Sequence, residues 1–128
     1  MMSETMTFDA RGLAETLDAS SQEQLDTLDY GVIGFDAESV VQRYNAFESQ
    51  AAGLSPQRVL GEPLFTNVAP CLNNFLVAQR FEDAFDEGSE LDDTIDYVLT
   101  LRMRPVKVKL RLLASAGSAI RYVLVQRR

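Results

Sequence analysis

Histidine is absent from this 128-residue chain, and with it a large part of protein chemistry. Without imidazole there is no histidine-ligated haem, most zinc sites are excluded, and neither a Ser-His nor a Cys-His nucleophile pair can be assembled. Cysteine occurs once, at Cys71, so no internal disulfide is available. A lone thiol of this kind fits a reducing, cytoplasmic compartment. No stretch approaches the roughly 20 apolar residues that a bilayer span requires, and residues 1–8 are acidic and too short in apolar length for a secretory signal. Positive charge is scarce as well. Twelve Lys and Arg against 19 Asp and Glu leave a formal charge of −7, which argues against a passive nucleic-acid binder because phosphate recognition needs a cationic face. No catalytic base pairs with the single thiol, so an enzyme is not expected.

What is present is ordinary for one globular domain: 46% hydrophobic and 24% charged residues, enough to bury a core without staples. Residues 10–28 read as amphipathic and helical, with Leu13, Leu17, Leu25 and Leu28 as apolar points, a break at Ala19-Ser20-Ser21 and a serine cap for the second piece. We take residues 1–28 as an amino-terminal cap, short and weakly apolar, and 29–128 as the core. Residues 30–35 and 40–44 form a hairpin around the turn Asp36 to Ser39. Short helical pieces follow over 45–54 and from Pro56, a proline at the first helical position. The stretch 63–72 is irregular, because Pro70 turns Ala69 away from helical angles. Asn73 or Asn74 is placed to cap a long helix over 75–87, whose buried face is Val77, Phe81, Ala84 and Phe85 and whose stop is Gly88. Three strands close the chain, over 94–103, 106–112 and 120–126. The basic run Arg102, Arg104, Lys107, Lys109 and Arg111 alternates with apolar residues and reads as the wet face of a strand. The class is therefore α+β: a five-stranded antiparallel sheet with helices on one face and a helical cap, an order that resembles the PAS fold.

Four features carry chemistry: Tyr44, Glu48, the loop around Cys71, and the segment Met103-Arg104-Pro105. Cys71 in its proline-kinked loop is open to acylation if its thiolate is accessible; equally, a free cysteine is often a small buried hydrophobe. If 45–50 turns helically, Tyr44 and Glu48 approach one pocket. A buried Glu48 with its pKa raised by desolvation would be a donor beside the tyrosine hydroxyl, and two such donors suit a buried phenolate. The bland alternative is a solvated glutamate and a core tyrosine.

The strings YNAFE (44–48), GEPLFTNVAPC (61–71) and MRPVKVKL (103–110), with weaker support from QLDTLDYGVI (24–33) and YVLVQRR (122–128), resemble the photoactive yellow protein family. The resemblance implies a blue-light photoreceptor with 4-hydroxycinnamic acid (p-coumaric acid) attached as a thioester to Cys71. Tyr44 and Glu48 would hold the phenolate, Pro70 would frame the loop, and Met103 would touch the pocket. It implies trans–cis isomerisation, proton transfer from Glu48 and release of the cap toward a separate signalling protein. Several positions depart from the family pattern. Ala52 stands for the pocket threonine, Leu54 for the arginine over the ring, Leu64 and Leu99 for phenylalanines, Leu101 for a tyrosine and Tyr122 for a tryptophan. These changes imply a shifted colour and altered recovery. The alternatives are a pigment-free PAS module for protein contacts, a homodimer among them, or a PAS pocket for another small ligand.

Overall fold

The computed structural model describes residues 7–100, 105–115 and 118–127. Its centre is an antiparallel sheet of five strands in the order β2-β1-β5-β4-β3, built from β1 (Gly31–Phe35), β2 (Val41–Tyr44), β3 (Leu91–Leu99), β4 (Val106–Ala114) and β5 (Arg121–Arg127). Successive side chains point to opposite faces of a strand, and the sequence exploits this on both sides. Ile33, Phe35, Leu110, Leu112, Val123 and Val125 bury one face, here called the front. Val32, Leu113, Tyr122 and Leu124 bury the back. A sheet buried on both faces needs two covers, and the chain supplies them from different segments.

The back is covered by α1 (Leu13–Asp18) and α2 (Gln22–Asp26). Ser21 caps α2 through a reciprocal pair of bonds with Gln24, as the serine break predicts. The cap is more apolar in place than its composition implies: Leu13, Leu17 and Leu25 are buried together with Phe8, Tyr30 and Tyr122. Polar anchors add to this packing. Arg43 donates to the carbonyl oxygens of Leu17 (2.6 Å) and Ser20 (2.5 Å), and the Tyr122 hydroxyl donates to Asp18 (2.7 Å). Arg111, read from the sequence as part of a wet strand face, is instead 6% exposed. It lies on the face that the cap covers. Its guanidinium donates to the Phe8 and Ala10 carbonyls (2.9 and 2.8 Å) and grips both Asp92 oxygens at 2.9 Å, the pairing that a buried cation requires. Lys107 is exposed as expected.

The front is covered by α3 (Ala46–Ala52), α4 (Pro56–Val59), a π-helical turn (Leu64–Val68), a 3₁₀ turn (Pro70–Leu72) and α5 (Ala78–Glu87). α5 begins three residues later than its periodicity predicts. The Asn74 side chain accepts from the Leu76 and Val77 amides, so its capping bonds close a turn ahead of the helix, and Phe75 is left 83% exposed. Phe85 was expected in the core and is exposed; the Arg121 guanidinium stacks over its ring at 5.0 Å. β3 starts at Leu91, ahead of the predicted Thr94. Among the described residues no helix is long and apolar enough to cross a membrane.

Candidate functional site

Of the sequence-predicted site residues, Tyr44, Leu64 and Leu99 lie in the front-face core cluster, with Leu54 and Cys71 packed against it. β2 ends at Tyr44, which pairs with Ile33 of β1 and is 1% exposed. The chain then turns into α3 through Asn45, whose side chain is wholly buried and fully used. Its Oδ1 accepts from the Val32 amide (3.0 Å) and the Glu48 amide (3.1 Å), while Nδ2 donates to the carbonyls of Leu25 (2.9 Å) and Tyr30 (3.0 Å). One amide therefore caps α3, locks it to β1 and ties both to the end of α2. The Asn-x-x-Glu spacing of 45–48 is a capping signature; it marks the helix start in the sequence, but not the long-range bonds.

Glu48 lies in the first turn of α3 and is 1% exposed. It fits against the sheet because Gly31 is opposite: a Cβ at that position would collide with the Glu48 carboxyl. The carboxylate is gripped by Arg127 of β5, Nη1 to Oε1 at 2.7 Å and Nη2 to Oε2 at 3.1 Å. The Arg127 side chain is itself only 16% exposed. Burial pushes the Glu48 pKa above the usual carboxylate range, and the Arg127 guanidinium pulls against that rise. Tyr44 is also held neutral, raised by burial and then by the nearby Glu48 charge, with Arg127 opposing. Arg127 belongs to the closing YVLVQRR string, yet nothing in that string says that its guanidinium reaches α3.

Cys71 sits in the 3₁₀ turn Pro70–Leu72, following Ala69 at φ −139° and ψ 70°, outside the helical region as Pro70 dictates. The thiol-bearing residue is half-buried and packs on the cluster that contains Tyr44, Leu64, Val68, Ala69, Leu72 and Leu99. The turn is held from β3: the Tyr97 hydroxyl donates to the Cys71 carbonyl at 2.5 Å, and the Asn74 amide nitrogen donates to the Tyr97 oxygen. Leu64 and Leu99 are buried in this cluster, and Leu54 packs at its margin. Ala52 is buried in the last turn of α3, and Pro70 is exposed, shaping the loop from outside. Met103 and Leu101 lie outside the described residues.

Phenol, carboxyl and thiol thus share one face of the sheet, with an apolar cluster joining the first to the third. By residue type this donor set is what an aromatic acid acylated onto Cys71 would need: apolar surface, a thiol and a neutral phenol. Glu48 is buried beside Tyr44 but engaged by Arg127 rather than turned toward the cluster.

No protein-family model matches the chain. It is 32% identical over 104 residues to a photoactive yellow protein of Rhodothalassium salexigens, covering 81% of this chain and 82% of that one. It is 31% identical over 123 residues to that of Halochromatium salexigens, covering 94% and 95%. Among solved structures, the photoactive yellow protein domain of the sensor histidine kinase Ppr from Rhodospirillum centenum superposes with a TM-score of 0.81 at 34% identity, over 88% of this chain and 98% of that domain.

Proposed function

The chain belongs to the photoactive yellow protein family of PAS-type sensor domains, and we propose that it is a blue-light photoreceptor carrying a 4-hydroxycinnamoyl group as a thioester on Cys71. The observation that supports the reading is the front-face cluster, which includes the buried Tyr44 and has Cys71 packed against it, while the Glu48 carboxyl is buried in the first turn of α3. The pigment supplies light-driven trans–cis isomerisation of its double bond. The chain supplies everything else. Cys71 anchors, the Tyr97 hydroxyl and Asn74 fix the turn that bears it, and Leu54, Leu64 and Leu99 exclude water with aliphatic surface. Tyr44 donates to the phenolate end, and a protonated Glu48 donates beside it and gives up its proton after illumination. A newly ionised carboxylate turned toward the pigment costs several kcal/mol until it reaches a counter-charge, and that cost is the driving force for rearrangement.

We place the output at the cap. Asn45 bonds the first turn of α3, where Glu48 sits, to the Leu25 carbonyl of α2, so a displaced Glu48 acts on the cap through one intervening side chain. The receiver would be a separate signalling protein that binds the back face once the cap has left it.

One observation favours the rival reading of a pigment-free PAS interaction module: both Glu48 oxygens are already engaged by Arg127. Reconstitution separates the two. The protein is treated with activated 4-hydroxycinnamic acid and followed by mass and visible absorption. The photoreceptor reading expects one pigment per chain, a yellow product that bleaches under blue light, and no attachment in Cys71→Ala. Failure of the wild type to gain mass leaves the interaction module.

A further inference from the structure

Arg127, the charge partner of the buried Glu48, is a group that the photoreceptor chemistry described above leaves unused. Three observations define it. The pair is bidentate, at 2.7 and 3.1 Å, the geometry in which a guanidinium binds an ionised carboxylate rather than a neutral acid. Gly31 of β1 leaves the space that the carboxyl occupies in this position, and any side chain there would fill it. Arg127 is opposite Val108 of β4 and alternates with Val125 and Val123 on β5, so it reaches Glu48 from the same front face that carries Tyr44. Among the described residues, the ionisable groups that act on Glu48 from the surrounding elements are Arg127 of β5 and Tyr44 of β2.

We propose that Arg127 is the counter-ion that receives the Glu48 side chain whenever its carboxyl is ionised, so that Glu48 works between two partners: Arg127 as a carboxylate, and the phenolate end of the pigment as a neutral acid. The inference deepens the photoreceptor reading and rests on it for the second partner. Pigment loading then requires Glu48 to take a proton from solvent and leave Arg127. On illumination the Glu48 O–H bond breaks, the proton passes to the phenolate oxygen, and the carboxylate returns to a guanidinium that has stayed protonated throughout. Recovery reverses each transfer. Arg127 is accordingly a positioning residue. It lowers the energy of the ionised form, sets how long that form lasts, and has its own bonds made and broken at the end of β5.

The test uses Arg127→Gln, with Arg127→Lys as a conservative variant that keeps the charge and loses the fork. In pigment-free protein, the infrared band of the protonated Glu48 carboxyl, assigned by its loss in Glu48→Gln, is titrated against pH. The proposal expects its midpoint to rise by at least one unit in Arg127→Gln and by less in Arg127→Lys. In loaded protein it expects recovery after a blue flash at least tenfold faster in Arg127→Gln, partly restored in Arg127→Lys, and unaffected by either change in the Glu48→Gln background. An unchanged midpoint overturns the pairing whether or not pigment binds. A shifted midpoint with wild-type recovery overturns the two-partner role. Failure of the wild type to take pigment, seen by mass, sinks the photoreceptor reading and the second partner with it.

Discussion

Replacing Asn45 with alanine should be among the most damaging single changes that leave every apolar contact of the core in place. Four buried hydrogen bonds end on this side chain, two accepted from the Val32 and Glu48 amides and two donated to the Leu25 and Tyr30 carbonyls. Each is worth about 0.5–1.5 kcal/mol net when made, and a buried group left without its partner costs about 1–3 kcal/mol; the helix cap alone contributes about 1 kcal/mol. Some of the orphaned groups can recruit water into the space left by the amide, so the expected loss is about 3–5 kcal/mol, a large share of the stability of a domain of this size. Urea unfolding followed by far-ultraviolet circular dichroism measures it, with an unchanged denaturant slope as the check that only stability has moved. Asn45→Asp sharpens the test. It keeps the two acceptor bonds and the cap, but turns a carboxylate on two carbonyl oxygens, so it should be nearly as destabilising at neutral pH. It should recover in acid, where a protonated side chain again has a donor. A loss below about 1 kcal/mol in Asn45→Ala, or an aspartate variant with no acid recovery, would refute the view that this one amide joins cap, sheet and helix.

Gly31→Ala should force the Glu48 carboxyl out of its place against β1, costing about 1–3 kcal/mol as overpacking and changing the visible band of the loaded protein, whereas Gly61→Ala, at a glycine with open space around it but a φ of +86°, should leave the band alone. The raised Glu48 pKa, set by burial against the pull of Arg127, predicts a contribution to stability that is complete below the ordinary carboxylate value of 4.5 and is lost as pH rises through the elevated native value; pigment-free Glu48→Gln should lack that slope in parallel urea titrations across pH. Arg111→Leu should loosen the cap selectively, at about 2 kcal/mol for lost charge-assisted bonds, with faster amide exchange around Phe8 to Leu13 and little change in β5. Equal acceleration throughout the sheet would contradict that assignment.

Much of the scaffold was legible along the chain. The alternation in β4 and the apolar run of β1 are period-two patterns that any sheet of this kind requires, and Ser21, Pro56 and Gly88 act through local backbone bonds that need only neighbours in sequence. α5 departs from its periodicity at its start and in the placing of Phe85, while its end at Glu87 before Gly88 agrees. Asn74 makes its capping bonds one turn early, and Phe85 satisfies the helical period while facing the open side, where Arg121 meets it. Periodicity reports which residues share a face, not what covers that face. The same blindness hid Arg111, whose alternation is that of a solvated strand and whose solvent is displaced by a cap eighty residues and more away in the chain.

The candidate site divides along the same line. The residue types were readable: a single thiol held by proline, a tyrosine and a glutamate at helical spacing, and motif strings specific enough to point to a family. Local chemistry and short spacing determine these, so the sequence alone determined them. Which groups face one another was decided only when β5 was laid beside β1, and β3 brought Tyr97 over the Cys71 turn. That assembly set Arg127 against Glu48 through a space that exists because Gly31 has no side chain. Such pairings join residues 26 and 79 positions apart, and no pattern within a strand or a helix encodes them; the packing of the folded sheet does.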